Sequence, residues 1–321
     1  MKKTPKLLVV GSLVMDLIVT TPRFPAAGET VLGTDFQTAP GGKGANQAVQ
    51  IGKLGAQVSM VGKVGVDDFG SAMIASLSHA GVDTTRVLCT DATGSAIGNV
   101  QVEISEGGNQ NRIIVVSGAN MLIMPEDIAF LEHTIGGYDM VLLQHEIPMA
   151  INELVAQYAH QTRVPVMLNT APYAPLSDEY LAKLSFISPN EHEAGHLSGV
   201  QVTDQASAWQ AAEVLLKKGV GAVLITLGRQ GAIYLDRGQR LHSPAVPGTI
   251  AVDPTAAGDS FVGAFCTAVC AGASMSEAMR FANHTASLTV SRMGAQPSLP
   301  TMGDVLALMH DKRVDPGDWV K

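Results

Sequence analysis

Residues 140–168 read MVLLQHEIPMAINELVAQYAHQTRVPVML. An apolar run, Met140–Leu143, precedes the helical pattern Ile151–His160 and a second β-rich run, Val164–Leu168. Two buried strands joined by a helix make a βαβ unit, which requires parallel strands covered on both faces. The alternation continues in both directions. Leu7–Val10, Val58–Val61, Phe186–Ser188 and Ala222–Thr226 read as further buried strands, and Asn46–Leu54, Ser71–Ala80 and Ala206–Lys218 as helices among them. In sheets of this α/β class ligands bind beyond the carboxyl ends of the strands. Two segments break the pattern: Val14–Phe36, and Ile97–Val116, where alternating Val100, Val102 and Ile104 predict half-exposed antiparallel strands. Together they predict a small β-sheet lid, formed near residues 14–36 and 97–116, within a single domain over residues 1–321.

Composition narrows the class. Hydrophobic residues make up 46% of the 321 and charged residues 16%, enough apolar material for a sheet covered on both sides. The net charge is −8, with no basic run and only five Tyr and two Trp, so neither a phosphate-tracking surface nor a base-stacking platform is present. Nucleic acid is excluded as the expected partner, and any bound polyphosphate must be held locally by helix N-termini, backbone N–H groups and a metal ion. Cys89, Cys266 and Cys270 form no framework, and the last two are read as small core residues on one helix face. Lys2 and Lys3 before an apolar run imitate a signal peptide, but Asp16 interrupts that run, so it is read as a buried first strand. With no run of about 18 apolar residues, no transmembrane helix is expected, and the predicted location is cytoplasmic.

Four motifs carry chemistry. Gly41-Gly42-Lys43-Gly44-Ala45-Asn46 allows close backbone approach to a ligand and opens a helix. It is no P-loop, because Gly44 follows the Lys where Ser or Thr is needed, and the dinucleotide fingerprint fails at Gln47. A tight turn before a helix explains it equally well. Asp253-Pro254-Thr255-Ala256-Ala257-Gly258-Asp259-Ser260-Phe261 precedes a small-residue helix, Val262–Ala271. Converging N–H groups at that helix start make an anion hole beside a carboxylate. Asp259 could accept a hydroxyl proton while the unpaired N–H groups stabilise a transferring phosphoryl group, or it could merely cap the helix.

Ser188-Pro189-Asn190-Glu191-His192-Glu193 ends a strand, and His192-Glu193-Ala194-Gly195-His196 matches the H-E-x-x-H zinc-hydrolase pattern. Pro189, Gly195 and the lack of a third-ligand motif argue against zinc. The two His are read as surface residues, and Asn190 and Glu193 as facing the ligand edge, where Glu193 arranges magnesium through water. Ile225-Thr226-Leu227-Gly228-Arg229-Gln230-Gly231-Ala232, a buried strand with a Gly-bounded turn, signals only a hairpin on its own.

In this order the four motifs resemble the ribokinase family of PfkB-type carbohydrate kinases, over nearly the whole chain. Gly41 through Gly70, including Gly65-Val66-Asp67-Asp68-Phe69-Gly70, is similar to the family's first signature, and Asp253 through Phe265 to its second. Gly11-Ser12-Leu13-Val14-Met15-Asp16, Leu168-Asn169-Thr170-Ala171-Pro172 and Gly294-Ala295-Gln296-Pro297-Ser298 add agreement with ribokinases in particular. The resemblance implies a three-layer fold and ATP-dependent phosphorylation of a pentose at its terminal hydroxyl, D-ribose first. Asp16, Gly42, Lys43, Asn46 and Glu146 are then the implied sugar ligands and Asp259 the base. ATP is implied at Asn190, Thr226, Leu227, Gly228, Gly231 and Gly258, with its phosphates at the N–H groups of Ala256, Ala257 and Gly258 and Asn283 near the adenine. An activating potassium ion is implied at Asp253, Ser298 and the carbonyls of Thr255, Thr289, Arg292 and Gly294. A homodimer through the lid sheets is also implied.

Two positions depart from the family's commoner pattern. Ala256 replaces the first Gly of the anion hole, a variant that some ribokinases share. Val14 stands where typical ribokinases carry an Asn that hydrogen-bonds a ring hydroxyl, and deoxyribokinase-like relatives place an apolar residue there. Losing that partner costs about 1–3 kcal/mol, which ranks 2-deoxy-D-ribose second and another pentose or a nucleoside third. A non-catalytic sugar sensor on the same scaffold would be expected to lack the base or Glu193, and this chain has both.

Overall fold

The computed structural model describes residues 1, 3–104 and 110–320. Its described strands, in chain order, are β1 (Lys6–Val10), β2 (Val14–Thr21), β3 (Asp35–Gly41), β4 (Gln57–Gly65), β5 (Val82–Thr90), β6 (Ala96–Glu103), β7 (Gln110–Val116), β8 (Met140–Leu143), β9 (Val166–Asn169), β10 (Phe186–Ser188), β11 (Ala222–Thr226), β12 (Ala232–Leu235) and β13 (Arg240–Ser243). Nine form one sheet in the order β13-β12-β11-β10-β9-β8-β1-β4-β5. Every neighbouring pair from β11 to β5 is parallel, and only the β11-β12-β13 edge is antiparallel.

The pleat of β1 shows why three layers form. Leu7 and Val9 face one core with the helices Lys43–Lys53, Ala257–Cys270 and Met275–Val290. Leu8 and Val10 face the other, with Met149–Thr162 and Gln205–Lys217. Alternate residues serve opposite faces, and because all four are fully buried the strand reads as a continuous apolar run. From β1 the chain builds outward through β4 and β5, then returns to β8 on its other side and builds the opposite way. The order therefore reverses between β1 and β8, and a crevice opens at their carboxyl ends. Gly11-Ser12-Leu13 leaves one lip and Gln144-His145-Glu146 the other.

The second sheet runs β3-β2-β6-β7, with β2 parallel to β6 and the outer pairs antiparallel. It takes in Asp35–Gly41, which extends beyond the 14–36 segment read from the sequence. Residues 105–109, inside the predicted 97–116 segment, lie outside the described residues. The sequence also left out β5, whose pattern is only partly buried, and the short edge strands β12 and β13. The Gly-bounded turn is indeed a hairpin: Leu227 N–H donates to Gly231 O at 2.8 Å between the antiparallel β11 and β12.

Helix Lys43–Lys53 lies hard against the end of β1. Ala45 N–H donates to Ser12 O at 2.9 Å, and a Cβ on Gly44 would stand 2.6 Å from Ser12 N and 2.8 Å from Gly11 C. Backbone on both sides leaves no flexible group to yield. Gly44→Ala is expected to destabilise the protein by about 1–3 kcal/mol, as an overpacked core does, and urea unfolding monitored by circular dichroism measures it.

Candidate functional site

Three chain segments converge at the crevice. Asp259 sits in the first turn of Ala257–Cys270 and is buried, 6% exposed. Its Oδ2 accepts from Asn46 Nδ2 at 3.0 Å and its Oδ1 from Gln47 Nε2 at 3.1 Å, both on the helix Lys43–Lys53. The helices can approach because Gly263 has no side chain: a Cβ there would stand 3.2 Å from Gln47 O and from Gln50 Cβ. Asn46 Oδ1 is buried with no hydrogen-bond partner, an acceptor oriented for a donor that the protein does not supply.

The anion hole takes a left-handed entry. Ala256 has φ 59° and ψ 8° and caps the helix, whose first turn-closing bond runs from Ser260 N–H to Ala256 O at 2.8 Å. Ala257 N–H donates to Pro254 O at 3.2 Å within the turn, so the N–H groups of Ala256, Gly258 and Asp259 are the ones left ahead of the first helical bond. A Cβ on Gly258 would touch nothing within 4 Å, so that approach is open. The Ala that replaces a Gly thus carries a side chain where glycine is favoured, a strain of about 1–2 kcal/mol.

Glu146 sits on the β8 side. Its Oε2 accepts from Ser12 Oγ at 2.5 Å and from Lys43 N–H at 2.9 Å, tying both lips of the crevice to the helix. Burial opposes the Lys43 charge, but the carboxylates of Asp259, Glu146 and Glu193 outweigh it and hold the ammonium above its ordinary pKa. Gly42 has φ 89°, and a Cβ would stand 2.7 Å from Val14 N, which explains this glycine before the lysine.

Asp16 is built into β2 between two glycines. A Cβ on Gly41 would meet its Oδ2 at 2.7 Å, and one on Gly98 its Oδ1 at 2.4 Å, so a side chain at either position would push the carboxylate from this placement. Val14, two residues back, shares that face of the strand and is 5% exposed. Burial first, and the Glu146 charge second, raise the Asp16 carboxyl from 3.8 to about 6.

Across the sheet, Asn190 caps the helix Glu191–Ser198, and Glu193 closes a capping box with it. Glu193 is 8% exposed and accepts from Thr170 Oγ1, Asn190 N–H and Asn190 Nδ2 at 3.0–3.1 Å. Its carboxylate already fixes the local backbone, and the one acceptor site left, on Oε1, suits a water of a hydrated magnesium ion. His192 and His196 are exposed while Glu193 is buried, so the three do not converge as a zinc site would require. Asn190 bridges to Thr226, whose N–H donates to Pro189 O at 3.1 Å. Gly228 has φ 48°, and Gly231, φ 88°, abuts Ser243 O at a hypothetical Cβ distance of 2.1 Å. Asn283 Nδ2 donates to Ser243 O, Ser243 Oγ and Pro244 O at 2.9–3.1 Å, so its amide anchors that same loop.

Behind the anion hole, Asp253 accepts from Thr255 N–H (2.9 Å), Thr255 Oγ1 (2.6 Å) and Gly294 N–H (2.9 Å). Two segments 41 residues apart are thereby joined. The Arg292 N–H meets Thr289 O at 3.1 Å, and the buried Ser298 hydroxyl donates to Ala295 O at 2.7 Å, leaving its lone pairs free. This all-oxygen set fits a hard monovalent cation in its chemistry. Sequence reasoning missed Ser12, Gln47, Gln144, Thr170 and Asn120; the last clamps Leu13 N–H and Leu13 O at 3.1 and 2.9 Å.

The model of the pfkB family of carbohydrate kinases matches residues 4–302. The chain belongs to that family. A ribokinase of Bacillus subtilis is 42% identical over 301 residues, covering 94% of this chain and 98% of the relative. One from Haemophilus influenzae is 39% identical over 97% of this chain and 99% of its own length. Among solved structures, the Arabidopsis thaliana ribokinase complexed with ribose and ATP superposes with a TM-score of 0.88 at 35% identity, covering 96% of this chain and 99% of that one. The family's expected three-layer architecture is the one found here, with a large, mostly parallel sheet and a second small one.

The raised Asp16 carboxyl has a consequence for stability. The folded state binds this proton more tightly than the unfolded chain, so its stabilising contribution is present below pH 3.8 and lost as pH rises to about 6. Asp16→Asn is expected to raise the melting temperature of the ligand-free protein by about 2–4 °C at pH 7.5. Differential scanning calorimetry should show that gain shrinking toward pH 4.

Proposed function

We propose that the crevice between β1 and β8 binds a pentose, D-ribose first, and that the enzyme transfers the γ-phosphoryl group of ATP to its terminal hydroxyl. The observation that carries this reading is the buried Asp259 carboxylate, at the start of a helix with free N–H groups and beside the unpartnered Asn46 Oδ1. A carboxylate alone would suit a helix cap. A carboxylate, an orphan acceptor and an anion hole together suit a hydroxyl on one side and a phosphoryl group on the other.

Asp16, Asn46 and Glu146 accept from sugar hydroxyls, with Lys43 and the Gly42 backbone beside them. As the terminal oxygen bonds to the γ-phosphorus, the bond to the β-phosphate oxygen breaks and ADP leaves. Asp259 takes the hydroxyl proton. The N–H groups of Ala256, Gly258 and Asp259 face the negative charge on the transferring group, while that of Ala257 is held by Pro254 O. Asn190, Thr226, Leu227, Gly228 and Gly231 edge the nucleotide, and Asn283 shapes the adenine end through Ser243 and Pro244. Magnesium, organised by Glu193 through water, would screen the phosphate charge. Potassium at Asp253, Thr255, Thr289, Arg292, Gly294 and Ser298 would fix the loops around the anion hole. The small sheet acts as a lid that excludes water. Its apolar outer strand, with Ile114 65% exposed, supports pairing of two lids in a homodimer. No described helix is long and apolar enough to cross a membrane, and a cytoplasmic location fits the need for ATP.

A second reading rests on Val14. Its buried apolar side chain shares a strand face with Asp16, where a hydroxyl of ribose would lose a partner. That favours 2-deoxy-D-ribose. A coupled ADP-release assay, with ATP, magnesium and potassium, is expected to give a kcat/KM ratio favouring ribose. Val14→Asn should raise that ratio by about tenfold. Deoxyribose equal to or ahead of ribose in the unmodified enzyme would instead make Val14 the determinant of substrate choice. No turnover of either sugar would overturn the pentose assignment.

A further inference from the structure

Asp259 is oriented by more than its immediate neighbours. Gln47, fully buried, donates from Nε2 to Asp259 Oδ1 at 3.1 Å, and its own Oε1 accepts from Gln144 Nε2 at 2.7 Å. Gln144, also fully buried, is held in turn through its backbone carbonyl, which accepts from Asn152 Nδ2 at 2.7 Å on the helix Met149–Thr162. The chain of amides runs from one helical layer through the switch point of the sheet to the other.

An ionised carboxylate only accepts hydrogen bonds, so the amide group facing it must be Nε2, and Gln47 Oε1 must face a donor. One charge therefore sets the direction of both glutamine side chains. The same network is a poor stabilising device. Gln144 Oε1 and Asn152 Oδ1 are buried without hydrogen-bond partners, and buried unpaired acceptors cost free energy. Apolar residues at these sites would pack without that cost. Function is the better reason for the amides.

We propose that Gln47, fixed by Gln144, is a positioning residue that occupies Asp259 Oδ1 and reserves Oδ2, the oxygen shared with Asn46, for the proton of the substrate hydroxyl. Oδ1 continues to accept from Gln47 after Oδ2 is protonated, so the amide chain need not rearrange during the reaction. Both glutamines are fully buried behind the carboxylate, away from solvent. The inference rests on Asp259 acting as the base.

The test is the pH profile of kcat/KM for D-ribose in the unmodified enzyme, Gln47→Met and Gln144→Met, each checked for folding by its melting temperature. These near-isosteric changes remove the amide without adding charge. Losing a donor to the charged form disfavours the form that accepts the proton, so the acidic limb of the profile should move up by about one pH unit. The rate one unit below the original limb should then fall about tenfold. Gln144→Met should do this without contact to Asp259, with the sugar KM little changed at high pH. Folded variants whose limbs coincide with that of the unmodified enzyme would overturn the positioning role. An unmodified enzyme with no acidic limb would instead overturn Asp259 as the base, and the inference with it.

Discussion

The close crossing of two helix N-termini over the carboxyl ends of β1 and β8 is the constraint on which the site depends. A charge as buried as Asp259 is costly unless hydrogen bonds replace its water. Asn46 and Gln47 supply them only because Gly263 lets the second helix lie against the first, and Gly44 lets the first lie against Ser12. That approach also sets the orphan Asn46 acceptor beside the carboxylate. The sheet's reversal between β1 and β8 provides the floor, since the chain leaves these two parallel strands toward opposite sides of the sheet and opens a crevice between them.

Stability is surrendered locally around this crevice. Asp16 is held where its carboxyl is harder to ionise, Ala256 adopts a left-handed conformation, and several buried acceptors lack partners. Two fully buried cores, one on each face of the sheet, offset these costs. Backbone strain and unpaired groups such as these persist only where the surrounding structure holds them in place.

Much of this was legible in the sequence, for identifiable reasons. Fully buried parallel strands read as apolar runs, so Met140–Leu143, Phe186–Ser188 and Ala222–Thr226 were delimited as the structure has them. Val164 and Pro165 extended one run too far, because a buried turn residue looks like the strand that follows it. Asp259 stood out because a carboxylate follows small residues at a helix start. Gln47 was visible only as the residue that spoiled a dinucleotide fingerprint. An amide has no motif of its own, and its partner Gln144 lies 97 residues away, so their meeting is a tertiary fact. Glu193 shows the complementary limit: sequence suggested an acid facing the ligand edge, and the structure adds the capping box that holds it there.

The most direct test of the account is single-turnover phosphorylation of D-ribose by Asp259→Asn, with ribose and ATP affinities measured calorimetrically on the same preparation. Asparagine keeps the shape and still accepts from Gln47 through its carbonyl, but it cannot take a proton. Near-normal binding of both ligands with turnover reduced by about 10²–10⁴-fold is the predicted result. Turnover within a few-fold of the unmodified enzyme would contradict the assignment of Asp259 as the base.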